Sequence, residues 1–376
     1  MINSISAMSA FPAMVAPLGL LFLLCLTLSS LLVTAAVAPT TSVPGGALAH
    51  GRPISKQYDG LVCKSAENKA TSTGNCTCLP YGEDDEQQVD CSHLHFTSLP
   101  INAHLPSRTS VLNMNQNNIS RLVKLEKNDD IKHLNLAAND MTEIDHFAFE
   151  QTKNLISLDL SYNHLTKLDE TLFDSLETLQ SLNLSYNKLE YLPNDIFKKC
   201  DHLFELRLAH NPLKQINAQT FFFLQQVEIL DLSQNEIFSL ESGTFHSMGK
   251  LDTLDLSGND FESVPINALR NTRKLTTLDL SSNPIRTINE ASFHKLYSLK
   301  ELIMNDMKAL VEIQKKAFSS LFNLERLTIQ HCPHLSYIDP YAFMGAFNHS
   351  WMAIRHVSFR RNSLSTLSER TLPFCE

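Results

Sequence analysis

The sequence predicts an α/β repeat solenoid, a chain wound into stacked coils, and three observations carry that prediction. The first is a period: Asn163, Asn187, Asn211, Asn235, Asn259 and Asn283 follow one another at intervals of 24 residues. The second is the phrase that surrounds each of them. It reads LISLDLSYNHL (155–165), LQSLNLSYNKL (179–189), LFELRLAHNPL (203–213), VEILDLSQNEI (227–237), LDTLDLSGNDF (251–261) and LTTLDLSSNPI (275–285). The third is a phenylalanine ten residues beyond the asparagine, at Phe149, Phe173, Phe197, Phe221, Phe245 and Phe293, with Phe318 and Phe343 at slightly wider spacing. Fixed self-similarity of this length is the mark of a stacked repeat.

Each part of the phrase has a physical task. Apolar residues alternating in L-x-x-L-x-L point inward from a short strand, and the residues between them point out. Beyond the strand the backbone turns sharply and buries N–H and C=O groups that need partners. An asparagine amide offers a donor and an acceptor at once, so one side chain per coil serves that turn, and stacked coils make a ladder. The phenylalanines form a second column under the opposite side. A single coil cannot bury its own apolar edge, whereas its neighbours can.

The frame extends both ways. Asn139 in IKHLNLAANDM and Asn117 in TSVLNMNQNNI precede the regular run, the step between these two being slightly shorter than the period. Downstream, LKELIMNDM and LERLTIQHC keep the leucines but place Met307 and Cys332 in the asparagine slot, and IRHVSFRRNSL restores it at Asn362. Eleven repeats are expected over 109–376. This stretch resembles the extracellular leucine-rich repeat proteins in their 24-residue form, and in repeat style it is similar to insect cell-surface adhesion and receptor proteins. The resemblance implies a curved horseshoe, with a parallel sheet on the concave side and irregular or 3-10 structure on the convex side.

Residues 1–50 contain no Lys, Arg, Asp or Glu, and LGLLFLLCLTLSSLLVTAAVA (18–38) is an apolar run ending in small residues. Residues 1–38 read as a secretory signal peptide, with a retained signal anchor as the competing reading. Residues 39–62, rich in Pro, Gly, Ser and Thr, read as a flexible linker. A solenoid needs its first coil covered, and residues 63–108 hold Cys63, Cys76, Cys78 and Cys91. This segment looks like the cysteine-rich N-terminal cap of the same family, whose pairing implies Cys63–Cys78 and Cys76–Cys91. The twelve residues between Cys63 and Cys76 exceed the family's usual few. Zinc is the alternative, but four cysteines behind a secretory leader are read as disulfides. Cys200 and Cys332 occupy core and ladder slots, which makes both structural thiols. The chain ends at Glu376 inside its eleventh coil, with Cys375 unmatched, so a truncation before a C-terminal cap is expected.

A hydrophobic content of 43% supports a large core, and a net charge of −9 without a long basic run speaks against nucleic acid. No nucleophile elbow, phosphate-cradling loop or metal-ligand spacing is present, so no enzyme, cofactor or metal is expected. The outward strand residues are the natural binding surface. One row of them runs Asn113, Asn135, Asp159, Asn183, Arg207, Asp231, Asp255, Asp279, Ile303, Thr328 and Ser358. Tyr162 and Tyr186, with Phe204 expected close by, and Glu205, Arg207, Asp231, Asp255 and Asp279 are the ligand-binding candidates. Four N-x-S/T sequons, at Asn75, Asn118, Asn183 and Asn348, are candidate glycosylation sites. The expected function is binding an extracellular or cell-surface protein, homophilic contact included. The protein would be a receptor or adhesion ectodomain in the secretory pathway, or alternatively a secreted matrix or ligand-sequestering protein, and any membrane association would lie beyond residue 376.

Overall fold

The structure, a computed structural model, describes residues 76–82, 85–99, 105–345, 354–368 and 371. The expected signal peptide and linker, Cys63, Asn75, Asn348 and Cys375 lie outside these residues.

The chain opens on a hairpin, β1 (Thr77–Tyr81) and β2 (Glu86–Asp90), paired antiparallel. Each coil then contributes one short strand. These are β3 (Thr109–Asn113), β5 (His133–Asn135), β7 (Ser157–Asp159), β8 (Ser181–Asn183), β9 (Glu205–Arg207) and β10 (Ile229–Asp231). They continue as β11 (Thr253–Asp255), β12 (Thr277–Asp279), β14 (Glu301–Ile303), β16 (Arg326–Thr328) and β18 (His356–Ser358). All thirteen form one sheet in chain order, parallel from β2 onward. Short strands on the other side of the coils make two small sheets. One pairs β4 (Arg121–Leu122) with β6 (Glu143–Ile144). The other stacks β13 (Thr287–Ile288), β15 (Glu312–Ile313) and β17 (Tyr337–Ile338). The "α" in the expected class is nearly empty. Among the described residues the one α-helix is the single turn Ile266–Leu269, and elsewhere the convex side closes through i+3 turns such as Ala148 N–H to Asp145 O at 2.8 Å.

The register is the one the repeat demands. Leu158, Leu182, Leu206, Leu230, Leu254 and Leu278 lie directly opposite one another in successive strands, and all are fully buried. Beneath them runs the phenylalanine column. Phe149, Phe173, Phe197, Phe221 and Phe245 are buried and stack ring on ring at 6.3–6.4 Å between centroids. Leu269 fills the slot of the next coil, on the helical turn. Phe293, Phe318 and Phe343 then resume the column at 5.8 and 4.8 Å. Each ring covers its neighbour, which is how a coil too thin to own a core shares one.

The asparagine ladder closes the turns. Asn163 Nδ2 donates to Leu160 O and Ser161 O of its own coil and to Leu136 O of the coil before, at 3.0–3.1 Å. Its Oδ1 accepts Met141 N–H at 3.0 Å. Asn139, Asn187, Asn211, Asn235, Asn259 and Asn283 repeat the donor pattern. Asn117 reaches back to Cys91 O in the cap at 2.9 Å, and Asn362 to Ile329 O at 2.8 Å. Cys332 keeps part of the role, its thiol donating to Gln330 O at 3.4 Å and Met304 O at 3.6 Å. Burial pushes this thiol up to about 11, and that of Cys200, the other free cysteine among the described residues, up to about 12. In the cap Cys76 and Cys91 form a disulfide, and Cys78 is disulfide-bonded as well. Its implied partner, Cys63, is not among the described residues.

Candidate interaction face

The concave sheet presents its outward row in strict file. Asn183 lies opposite Arg207, Arg207 opposite Asp231, Asp231 opposite Asp255, and Asp255 opposite Asp279. Most members also do a structural task. Asp231, Asp255 and Asp279 each accept the backbone N–H two residues on, from Ser233, Ser257 and Ser281, at 2.8–3.0 Å. Asn135, Asp159 and Asn183 do the same for Ala137, Ser161 and Ser185 at 2.9–3.0 Å. These side chains terminate their strands, which explains why Asp and Asn recur in the slot. Three carboxylates in line on a half-buried surface are nevertheless costly. Burial first, and the neighbouring Asp279 second, push the Asp255 carboxyl up to about 6. Asp279 is raised by burial too. Arg207 cannot cap, and instead lies against Glu205 in its own strand, Nε to Oε1 at 2.8 Å. Those two candidates therefore neutralise each other.

A second row borders the first. The residue just before each ladder asparagine adopts a left-handed backbone: Gln116, Ala138, Tyr162, Tyr186, His210, Gln234, Gly258, Ser282 and onward, with φ between 52° and 64° in these coils. The ladder forces the conformation, since the turn bends there so that the asparagine can point inward. At three successive coils the row carries rings. Tyr162 and Tyr186 stack at 4.1 Å with planes 9° apart, and Tyr186 and His210 at 4.0 Å and 17°. Tyr162 is 54% exposed and Tyr186, between two rings, 39%. Burial, the Tyr162 hydroxyl and the charge of Asp231 together raise the Tyr186 phenol.

His210 belongs to this stack and is not among the sequence candidates. Aligning LAHNPL under LSYNKL puts it in the tyrosine column, so the repeat carries the signal. Phe204 moves the other way. It is exposed, but it precedes β9 while the tyrosines follow β7 and β8, so it borders the opposite edge of the sheet and does not join them. Asn183 sits on the sheet, half-buried, and the serine of its sequon, Ser185, is buried. Asn118 is exposed, its Nδ2 donating to Asp140 Oδ2 at 3.2 Å. Two flank cavities, of about 490 and 670 Å³, have mixed linings: Lys250 and Lys274 with Glu228 and Asp252, and Lys153 with Glu150 and Asp174. Neither gathers a single chemistry as the ring stack does.

The leucine-rich repeat family model matches residues 129–189, 154–213, 201–261 and 258–308. The chain carries leucine-rich repeats. No curated protein matches it. Leucine-rich repeats commonly mediate protein binding, and the matched span holds both the ring stack and the acidic row.

Proposed function

We propose that this leucine-rich repeat protein is a non-enzymatic, extracellular protein-binding module, the ectodomain of a cell-surface receptor or adhesion protein. The observation that carries the reading is the exposed stack of Tyr162, Tyr186 and His210 along the border of the concave sheet. Aromatic side chains held rigid before binding lose little entropy on contact and are enriched among the residues that dominate interface energies. The repeats supply the rigidity, because each ring is fixed by a ladder asparagine next to it in sequence. The Cys76–Cys91 disulfide supports an oxidising compartment, in line with the secretory leader read from residues 1–38.

The test is a binding screen of the purified protein against secreted proteins and cell-surface ectodomains presented in multivalent form, its own ectodomain among them. A specific partner is expected, and Tyr162→Ala with Tyr186→Ala should weaken its capture by about 2 kcal/mol or more. Capture that survives both changes would place the binding surface elsewhere on the solenoid.

A further inference from the structure

The ring stack ends one coil early, and the place where it ends has a defined shape. Ala138 holds the position before Tyr162 in the left-handed row, with the same backbone conformation (φ 52° against 53°) and the same inter-coil hydrogen bond. Ala138 N–H donates to Ser161 O at 2.9 Å, as Tyr162 N–H does to Ser185 O at 3.0 Å. Its side chain is a single methyl. The next member beyond it is Gln116, so Gln116 and Tyr162 stand two rungs apart. At the stack's own 4.1 Å spacing, two rungs are about 8 Å. One planar group at ordinary van der Waals separation fits that interval.

Elsewhere in the row a comparable gap is filled from within. At Gly258, where the backbone is left-handed (φ 64°), the amide end of the Gln234 side chain occupies the space a Cβ would take. At Ala138 that space is taken by the residue's own Cβ. The outer face of Tyr162 stays open, as its greater exposure than that of Tyr186 records. The electrostatics select the guest. The sheet row that the ring stack borders carries Asp159, Asp231, Asp255 and Asp279, and the charge of Asp231 reaches the Tyr186 phenol. The chain as a whole carries a charge of −9. A π face beside carboxylates favours a flat cation.

We propose that the rung above Ala138 is a recognition slot for one arginine side chain of a protein partner, its guanidinium stacked on Tyr162. The proposal rests on the protein-binding reading above and names the group that reading leaves open. A guanidinium is planar, weakly hydrated and stacks on aromatic faces, whereas an ammonium does none of these as well. The slot therefore discriminates arginine from lysine.

The test uses blocked amino acids as probes, N-acetyl-arginine amide against N-acetyl-lysine amide, titrated into the protein carrying isotope-labelled tyrosine. The arginine probe should shift the Tyr162 ring resonances saturably, with an apparent affinity about ten-fold above that of the lysine probe. Ala138→Tyr, which adds a fourth ring in a backbone conformation that Tyr162 and Tyr186 already adopt, should abolish the shift. Ala138→Gln, which copies the residue type of Gln116 and Gln234 in the same row, should also abolish it and serves if the tyrosine variant does not fold. Equal response to both probes, no saturable shift, or an unchanged shift in a folded Ala138 variant would overturn the slot. A partner captured equally by wild type and Ala138→Tyr would also overturn it, while leaving the binding module intact. A saturable arginine shift with no partner found in the screen would support the slot and count against the module.

Discussion

The central coils and the C-terminal coils hold the same curve by different means. From Asn139 to Asn283 every coil has its asparagine, and the convex side runs without a strand between β6 and β13. From Met307 onward the amide is missing twice. In this region the three-stranded sheet β13, β15 and β17 appears, with Gln314 N–H to Ile288 O at 2.8 Å and Asp339 N–H to Ile313 O at 2.9 Å. Met307 is fully buried and offers no amide, while the Cys332 thiol reaches the carbonyls only weakly. A coil can thus be locked by a side-chain amide on its inside or by backbone pairing on its outside. The amide lock needs one residue type in one place. Backbone pairing needs no particular side chain, which is why those coils can vary in sequence and length.

Four measurements bear on this contrast. The largest effect is expected from Asn211→Ala, which leaves the Leu184, Leu208 and Ala209 carbonyls and the Leu189 N–H without their partner. Denaturant unfolding should report a loss of about 3 kcal/mol or more. Cys332→Ala, at the corresponding slot, should cost only about 1 kcal/mol. Similar losses at both would erase the distinction. Gln314→Pro comes next: deleting the N–H that bonds Ile288 O should cost about 2 kcal/mol. At Ala218, seven residues past its ladder slot as Gln314 is, the N–H reaches only a glutamate side chain, at 3.3 Å. Ala218→Pro should therefore cost less.

The third concerns the acidic row of the central coils and depends on pH. Asp255 has its carboxyl raised from 3.8 to about 6 in the fold. It therefore favours the folded state when protonated, fully so below about pH 4, and that advantage is lost as pH rises through 6. Asp255→Asn keeps an Oδ1 for Ser257 N–H, as Asn183 does for Ser185. It should stabilise the protein at pH 7.5 by roughly 1 kcal/mol, allowing for screening on an open face, and hardly at all at pH 4. Thermal melts of both proteins across that range would show it, and parallel curves would refute it. The smallest effect is expected from Tyr186→Leu, where losing two ring contacts should lower stability by about 0.5–1.5 kcal/mol. A larger drop would mean that the stack helps hold the coils together as well as facing solvent.

How much of this is legible in the sequence follows from how local each feature is. The 24-residue period, the inward leucines, the ladder and the phenylalanine column are properties of spacing, and the structure reproduces them residue for residue. The outward row is legible as well, because a parallel stack of equal repeats has one natural register. The Cys332 thiol standing in for an amide follows from the slot it occupies. What escapes is anything set by where the turn sends a side chain. Phe204 and Tyr186 look adjacent once the repeats are aligned, yet they flank opposite edges of a strand. His210 escapes because a histidine is weighed for its charge and its ligand chemistry, and its ring counts only once it stands in a column.

The sequence by itself determined the coil, its length, its buried columns and the order in which coils stack, because each depends on periodic apolar and amide groups. Tertiary structure alone decided that the aspartates both cap their strands and crowd one another. It also decided that three rings close to van der Waals contact while Ala138 leaves the next rung open. Those outcomes depend on a turn held left-handed by the ladder and on the distance between neighbouring coils, and neither is written in any single repeat.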